Sequence, residues 1–333
     1  MKIITVAAFL LWVGVLSAQA QMASPLSLQR TITLPGVTGK FDHFAYDPDG
    51  NRLFVASAGN HSVEVIDLSS GKVTESLTGL GKPHGLAWIA ETKRLFASDG
   101  LQGDLKIYDG APLQQMKSIG LSDDADDMVY DGSTKLLYVG HGGGTVHPAK
   151  IAVVDTTSQT VVTNLPVATH PEGLEIDKAN DRIFANIADA GEIAVIDGKT
   201  HARSATWKLT RAKDNVPLAY DEENQILFVA CRTPARLVVL DANSGKELAD
   251  LPSDAGADDI FYDAELHRIY LIAGSGAVDV YEIDANKSVR ALSVTRTSTG
   301  AKTGLLVPSQ HTLYVGVPGS DGKQASILVY ATK

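Results

Sequence analysis

One motif recurs along almost the whole chain. HFAYDPDGNRLFVA (43–56) is echoed by GLAWIAETKRLFAS (85–98), DMVYDGSTKLLYVG (127–140), GLEIDKANDRIFAN (173–186), PLAYDEENQILFVA (217–230) and DIFYDAELHRIYLI (259–272), with a shorter copy, GLLVPSQHTLYVG, at 304–316. The markers Tyr46, Trp88, Tyr130, Ile176, Tyr220, Tyr262 and Val307 stand 42, 42, 46, 44, 42 and 45 residues apart. A unit of that length cannot bury its apolar face alone, so a repeat at this period restricts the fold to propellers and solenoids.

Each copy has the same internal grammar. An apolar stretch meets a turn such as DPDGN (47–51), and a second apolar run, Leu53 to Ala56, follows. After a loop comes a third strand, VEVIDL (63–68), matched by IAVVD (151–155), IAVID (193–197), LVVLD (237–241) and VDVYEID (278–284). A turn such as SSGK (69–72) leads to a fourth strand, VTESL (73–77). β-Branched residues dominate, turn residues punctuate, and helical periodicity is absent. The expected fold is all-β: a seven-bladed β-propeller of four-stranded antiparallel blades. The seventh copy supplies three strands, near 303–307, 312–317 and 326–331. LQRTITLPG (28–36) alternates like a strand and is expected to complete that blade, closing the ring and removing open edges.

The start, MKIITVAAFLLWVGVLSAQA, has a short positive segment, an apolar run from Ile3 to Leu16, and a small-x-small ending at Ala18–Ala20. This is the pattern of a cleaved signal peptide, over 1–20, with a single propeller domain over 21–333. The apolar run is shorter than the roughly 20 residues a spanning helix needs, so no membrane span is expected. A periplasmic or secreted monomer is expected. Cys231 is the only cysteine, so the core must hold without an internal disulfide. The formal net charge is −10, which weighs against nucleic acid as a partner.

LFVASAGNHSVEVIDLSSGKV (53–73), IFANIADAGEIAVIDGKT (183–200) and LFVACRTPARLVVLDANSGKEL (227–248) resemble the YVTN-repeat signature. The chain is similar, over nearly all of its mature length, to the YVTN/YncE-like seven-bladed propellers of exported bacterial proteins. The resemblance implies the fold. It leaves function open, because propellers host unrelated activities, and no catalytic motif of the neighbouring lactonase or lyase families can be placed on these residues.

Propeller geometry sorts residues by face. Hairpins joining the first and second strands lie on one face, the bottom. The second-to-third loops and the blade crossovers lie on the other, the top. His267 and His311 fall in bottom turns and His201 just after one, and solvated positions are expected for all three. His43, His61, His84, His141, His147 and His170 map to the top. Aligning the starts of the innermost strands places Asp42, His84, Asp126, Glu172, Val216, Asp258 and Thr303 in one column, followed by His43, Gly85, Asp127, Gly173, Pro217, Asp259 and Gly304. Any one of these acids could simply cap a local backbone N–H. Together, Asp42, His84, Asp126, Glu172 and Asp258 form a candidate metal-binding ring at the channel mouth. Carboxylates suit Ca²⁺, Mg²⁺ or Mn²⁺, and imidazoles shift the preference toward Zn²⁺.

Basic residues Arg211, Lys213, Arg232, Arg236, Arg296 and Lys302 also map to the top, mostly on the side of blades four to seven. Arg211, Lys213, Arg232, Arg296 and Lys302 are candidate contacts for a small polar or anionic ligand. The loop GHGGGTVHPAK (140–150) is the largest departure from the repeat, and its glycines permit mobility or close approach. It is either a plain surface loop or a functional lid. Cys231 is expected to be a buried small residue. The expected function is a binding or scaffold module for a small ligand or a periplasmic protein. The alternative is a metal-dependent hydrolase or lyase of the lactonase type, with His43, His141 or His170 as base. Single-stranded DNA binding is the weakest option, given 6% aromatic residues. In LSDDADDMVYD (121–131), Asp123 and Asp124 are read as a solvated crossover, and Asp126 and Asp127 as members of the ring, matching Asp258 and Asp259 three blades away.

Overall fold

The computed structural model describes residues 24–320 and 322–333. The leader segment at 1–20 lies outside the described residues. Twenty-eight strands form seven four-stranded antiparallel sheets. The innermost strands are Phe44–Asp47, Pro83–Ile89, Met128–Asp131, Pro171–Asp177, Lys213–Asp221, Ala257–Asp263 and Gly304–Val307. Each lies beside the next and the last lies beside the first, which closes the ring around a central channel. Helical structure among the described residues is limited to three single 3-10 turns.

Burial along each blade follows from its place in the ring. The second strand is covered on both faces by neighbouring blades, so its sequence is continuously apolar rather than alternating. Leu53, Phe54, Val55 and Ala56 are all at 0% exposure. Outer strands such as Lys72–Leu77 and Thr160–Pro166 have one wet side and alternate accordingly. The core is therefore divided into seven apolar clusters, one between each pair of adjacent blades.

The N-terminal strand closes the last blade as expected. Leu26–Leu34 pairs antiparallel with Ala325–Thr332, from Leu34 opposite Ala325 to Leu26 opposite Thr332. It begins and ends two residues earlier than the sequence pattern places it. Pro35 has no N–H to donate and Gly36 turns the chain at φ 80°, so the strand stops at Leu34. Ile32 and Leu34 then pack with Phe41, Phe44, Ile327 and Val329 between blades seven and one.

The bottom hairpins repeat one backbone device. Asn51, Lys93, Lys135, Asp181, Gln225, His267 and His311 each stand just before a second strand in the left-handed region, with φ from 47° to 63°. His267 and His311 are thus exposed turn residues. His201 departs from expectation: it is partly buried, its ring 6.2 Å from that of Tyr138.

Candidate functional site

The channel mouth depends on a local irregularity repeated around the ring. In blades two, four, five and six the register slips at the start of the innermost strand: Pro83/Leu86, Pro171/Leu174, Asn215/Leu218 and Ala257/Asp259. In blade one, Asp42 N–H donates to Ala56 O (2.8 Å) while Ala56 N–H donates to His43 O (3.1 Å). Asp126 and Asp127 bracket Gly140 in the same way in blade three, at 2.9 and 3.0 Å. Two residues thus oppose one, the pattern of a β-bulge, and a bulge re-aims side chains. Ordinary pleating would turn alternate residues away from the channel. Here consecutive pairs, Asp42–His43, Asp126–Asp127 and Asp258–Asp259, all line it. The blades also approach closely at this level: a Cβ on Gly85 would sit 2.4 Å from Asp126 O.

The resulting cavity has a volume of about 400 Å³. Eight carboxyl groups line it: Asp42, Asp124, Asp126, Asp127, Glu172, Glu175, Asp258 and Asp259. Facing them are the cations Lys40, Lys82, Arg232 and Lys302, and the imidazoles of His43, His84 and His170.

Asp126 is the hub. Its Oδ1 lies 3.1 Å from His84 Nδ1, which is also 3.1 Å from Asp42 Oδ2. Its Oδ2 lies 3.5 Å from His170 Nε2. His170 Nδ1–H donates to Gly142 O (2.6 Å), so the ring is fixed with Nε2 toward Asp126. His43 is held likewise: Nδ1 donates to Asp259 Oδ1 (2.9 Å), leaving Nε2 3.6 Å from Asp42 Oδ1. The far oxygen of Asp259 accepts from Gly304 N–H (2.7 Å).

Burial and mutual charge shape the ionisation of these groups. Burial alone would pull the His84 and His170 imidazoles down, but for His84 the carboxylates of Asp126 and Asp42, and for His170 that of Asp126, outweigh it and hold each at about 9. Burial likewise opposes charge on His43, yet Asp127 and Asp259 raise it well above its ordinary range. Burial would raise Asp126 too, but His170 and His84 bring it well below the usual carboxylate range. Asp127, Glu172, Glu175 and Asp258 are instead raised, chiefly by burial. Burial, reinforced by Asp126, pushes Glu172 up to about 7, and burial with the charge of Asp127 pushes Glu175 up to about 8. Without a cation the cluster thus holds protons, and a bound metal would displace them.

Glu175 gives a test of this electrostatic picture that is independent of any ligand. A carboxyl raised in the folded state keeps its proton where the unfolded chain has lost it. Stability therefore falls as pH climbs from about 4.5 to about 8, and levels off above. In EDTA, Glu175→Gln is expected to gain on the wild type by a few degrees in melting temperature between pH 5 and pH 8. A difference constant across that range would show that Glu175 ionises normally.

The structure sorts the residues singled out in the sequence. Asp42, His84, Asp126 and Glu172 come together at the mouth with His43 and His170. Asp258 also lines the cavity, but Arg232 and Lys302 both bind its carboxylate. Arg211, Lys213 and Arg296 lie outside it. Arg211 is engaged by Glu247 and Asp250, Arg296 by Asp254, and Lys213 is exposed. His141 is buried away from the cavity, accepting from Ser122 Oγ (2.7 Å) and donating to Asn164 Oδ1 (3.0 Å), where it anchors the base of the 140–150 loop. Burial lowers its imidazole below the ordinary value. Cys231 is buried in the cluster between blades four and five, its thiol pushed up to about 12 by burial.

Sequence reasoning missed Lys40, Lys82, Asp124 and Glu175. Asp124 is not a plain solvated crossover residue: it lines the mouth, 3.5 Å from Lys82 Nζ. A signal was present. Lys40, Lys82, Asp124 and His170 each stand two residues ahead of the ring column, so equal positions in equal blades again meet at the mouth.

No family model matches the chain. A curated relative, the seven-bladed beta-propeller protein Rv1057 of Mycobacterium tuberculosis, is 25% identical over 143 residues, which is 42% of this chain and 36% of that protein. Among solved structures, a chain of Kuenenia stuttgartiensis hydrazine synthase superposes with a TM-score of 0.78 at 17% identity, covering 90% of this chain and 99% of its own. A chain of a mitotic checkpoint complex superposes with a TM-score of 0.76 at 14% identity, covering 99% of each. At these identities the structural likeness speaks for the propeller fold alone.

Proposed function

We propose that this propeller is an exported binding module that holds a divalent cation at the channel mouth and, through it, a small anionic ligand. The observation that carries this reading is the convergence of imidazoles and carboxylates from blades one to four around a single carboxylate, Asp126. Two of the imidazoles, His43 and His170, are oriented through Nδ1 by an outer acceptor, the arrangement that presents a neutral Nε2 to a metal. Mixed nitrogen and carboxylate donors favour Zn²⁺ or another transition ion over Ca²⁺ or Mg²⁺. Across the cavity, Arg232 and Lys302 converge on one acid, Asp258, which sets two cations side by side where an oxyanion could be held. The acidic mouth weighs against nucleic acid. The leader pattern and the YVTN-type repeats support export to the periplasm or beyond. No described helix is long and apolar enough to cross a membrane.

The test is thermal unfolding of purified protein with Zn²⁺, Mn²⁺ or Ca²⁺. Zn²⁺ at about 100 times its dissociation constant is expected to stabilise by about 2.7 kcal/mol, reversibly with EDTA. No shift with any of the three ions removes the reading.

A second reading is metal-assisted hydrolysis of a lactone or ester. It is favoured by the His43–Asp259 pair, in which a carboxylate orients an imidazole at the cavity wall as a general base requires. A lactone and ester panel with no EDTA-sensitive turnover eliminates it.

A further inference from the structure

The geometry points to two divalent cations at the channel mouth, bridged by the Asp126 carboxylate. This deepens the cation-binding reading above and rests on it.

The two oxygens of Asp126 face different partners. Oδ1 is 3.1 Å from His84 Nδ1, on the side of Asp42, and Oδ2 is 3.5 Å from His170 Nε2, on the side of Glu172. Ligand atoms around one ion at about 2.1 Å stand roughly 3 to 4 Å apart. Three donor sets among the described residues come close to that spacing, with all atoms within 4.8 Å of one another: Asp42–His43–Asp126, His84–Asp124–Asp126 and Asp126–His170–Glu172. They intersect only at Asp126. No set joins Asp42 or His43 to His170 or Glu172, so one ion does not gather both groups. One ion therefore sits with Asp42 and His43 at Asp126, beside His84 and Asp124, which form the neighbouring donor set. The other sits between His170 and Glu172 on the Oδ2 side.

The second position has its own independent mark. His170 Nε2 is buried and aimed into the cluster, yet its one polar neighbour there, Asp126 Oδ2, stands off at 3.5 Å without a well-formed hydrogen bond. A buried nitrogen so weakly paired is better satisfied by a cation, which takes its lone pair once the ring has lost its proton. A carboxylate bridging ions about 3.5 to 4 Å apart is the usual core of two-metal sites, and such a pair holds an oxyanion with one oxygen on each ion. Eight carboxyls around the cavity supply the negative charge that two divalent ions need.

Stoichiometry decides the matter, measured by elemental analysis after dialysis against Zn²⁺ and by calorimetric titration. The wild type is expected to hold two equivalents. Glu172→Gln and Asp42→Asn should each retain one, and Asp126→Asn should weaken both by at least about 100-fold. Mn²⁺-loaded wild type should give the paramagnetic resonance signal of an exchange-coupled pair. One equivalent in the wild type, with an uncoupled Mn²⁺ signal, overturns the pair and leaves the single-cation reading standing. No bound metal overturns both. The wild-type measurements do not depend on any variant folding.

Discussion

Asp126→Asn is expected to raise the dissociation constant for Zn²⁺ by at least about 100-fold, since even outer partners of metal ligands are worth 10- to 100-fold. The substitution keeps side-chain volume and one acceptor oxygen but removes the charge shared by all three donor sets. The backbone of Asp126 is held separately, by Gly140 O and by Ser98 Oγ, which donates to Asp126 O (2.8 Å). The fold is therefore expected to survive, and the cation-dependent gain in melting temperature to vanish. Circular dichroism melts with and without Zn²⁺ check both halves. Wild-type affinity in this variant would show that Asp126 is a structural carboxylate paired with imidazoles.

Removing residues through Leu34 should abolish cooperative unfolding altogether. Leu26, Ile32 and Leu34 are 4%, 3% and 0% exposed, and truncating one such aliphatic side chain costs about 2–5 kcal/mol. Losing all three, with the ladder to Ala325–Thr332, rivals the 5–15 kcal/mol that typically separates folded from unfolded chains. The strand left behind would present an unpaired edge, the usual template for aggregation. Leu34→Ala, as a milder variant, should fold with a loss of about 2–5 kcal/mol in denaturant titration. A truncated protein that melts at the wild-type midpoint would mean that the terminal strand is a dispensable cover.

These two results probe levels of organisation that differ in how plainly the sequence displays them. Blade number, strand grammar and closure are local or periodic properties, and the repeat from Tyr46 to Val307 carries them openly. The ring column was readable for the same reason: equal positions in equal blades meet at one axis. What period alone could not reveal was the bulge at the strand starts of blades one to six, which lets both Asp126 and Asp127 reach the channel. Nor could it show which charges face one another across the ring. Asp258 occupies the expected position, but Arg232 from blade five and Lys302 from the sixth-to-seventh crossover meet it there. Arg211 and Arg296 share the top face with them, and nearby acids hold them outward. Pairing between blades is a three-dimensional property, written in no single repeat.

The most direct measurement is an anomalous difference map from crystals grown with Zn²⁺, recorded at the zinc absorption edge. Density beside the Asp126 carboxylate, between His84 and His170, is the expected result. A map with no peak within coordination distance of Asp126, from crystals whose zinc content is verified by fluorescence, would contradict a metal-binding channel mouth.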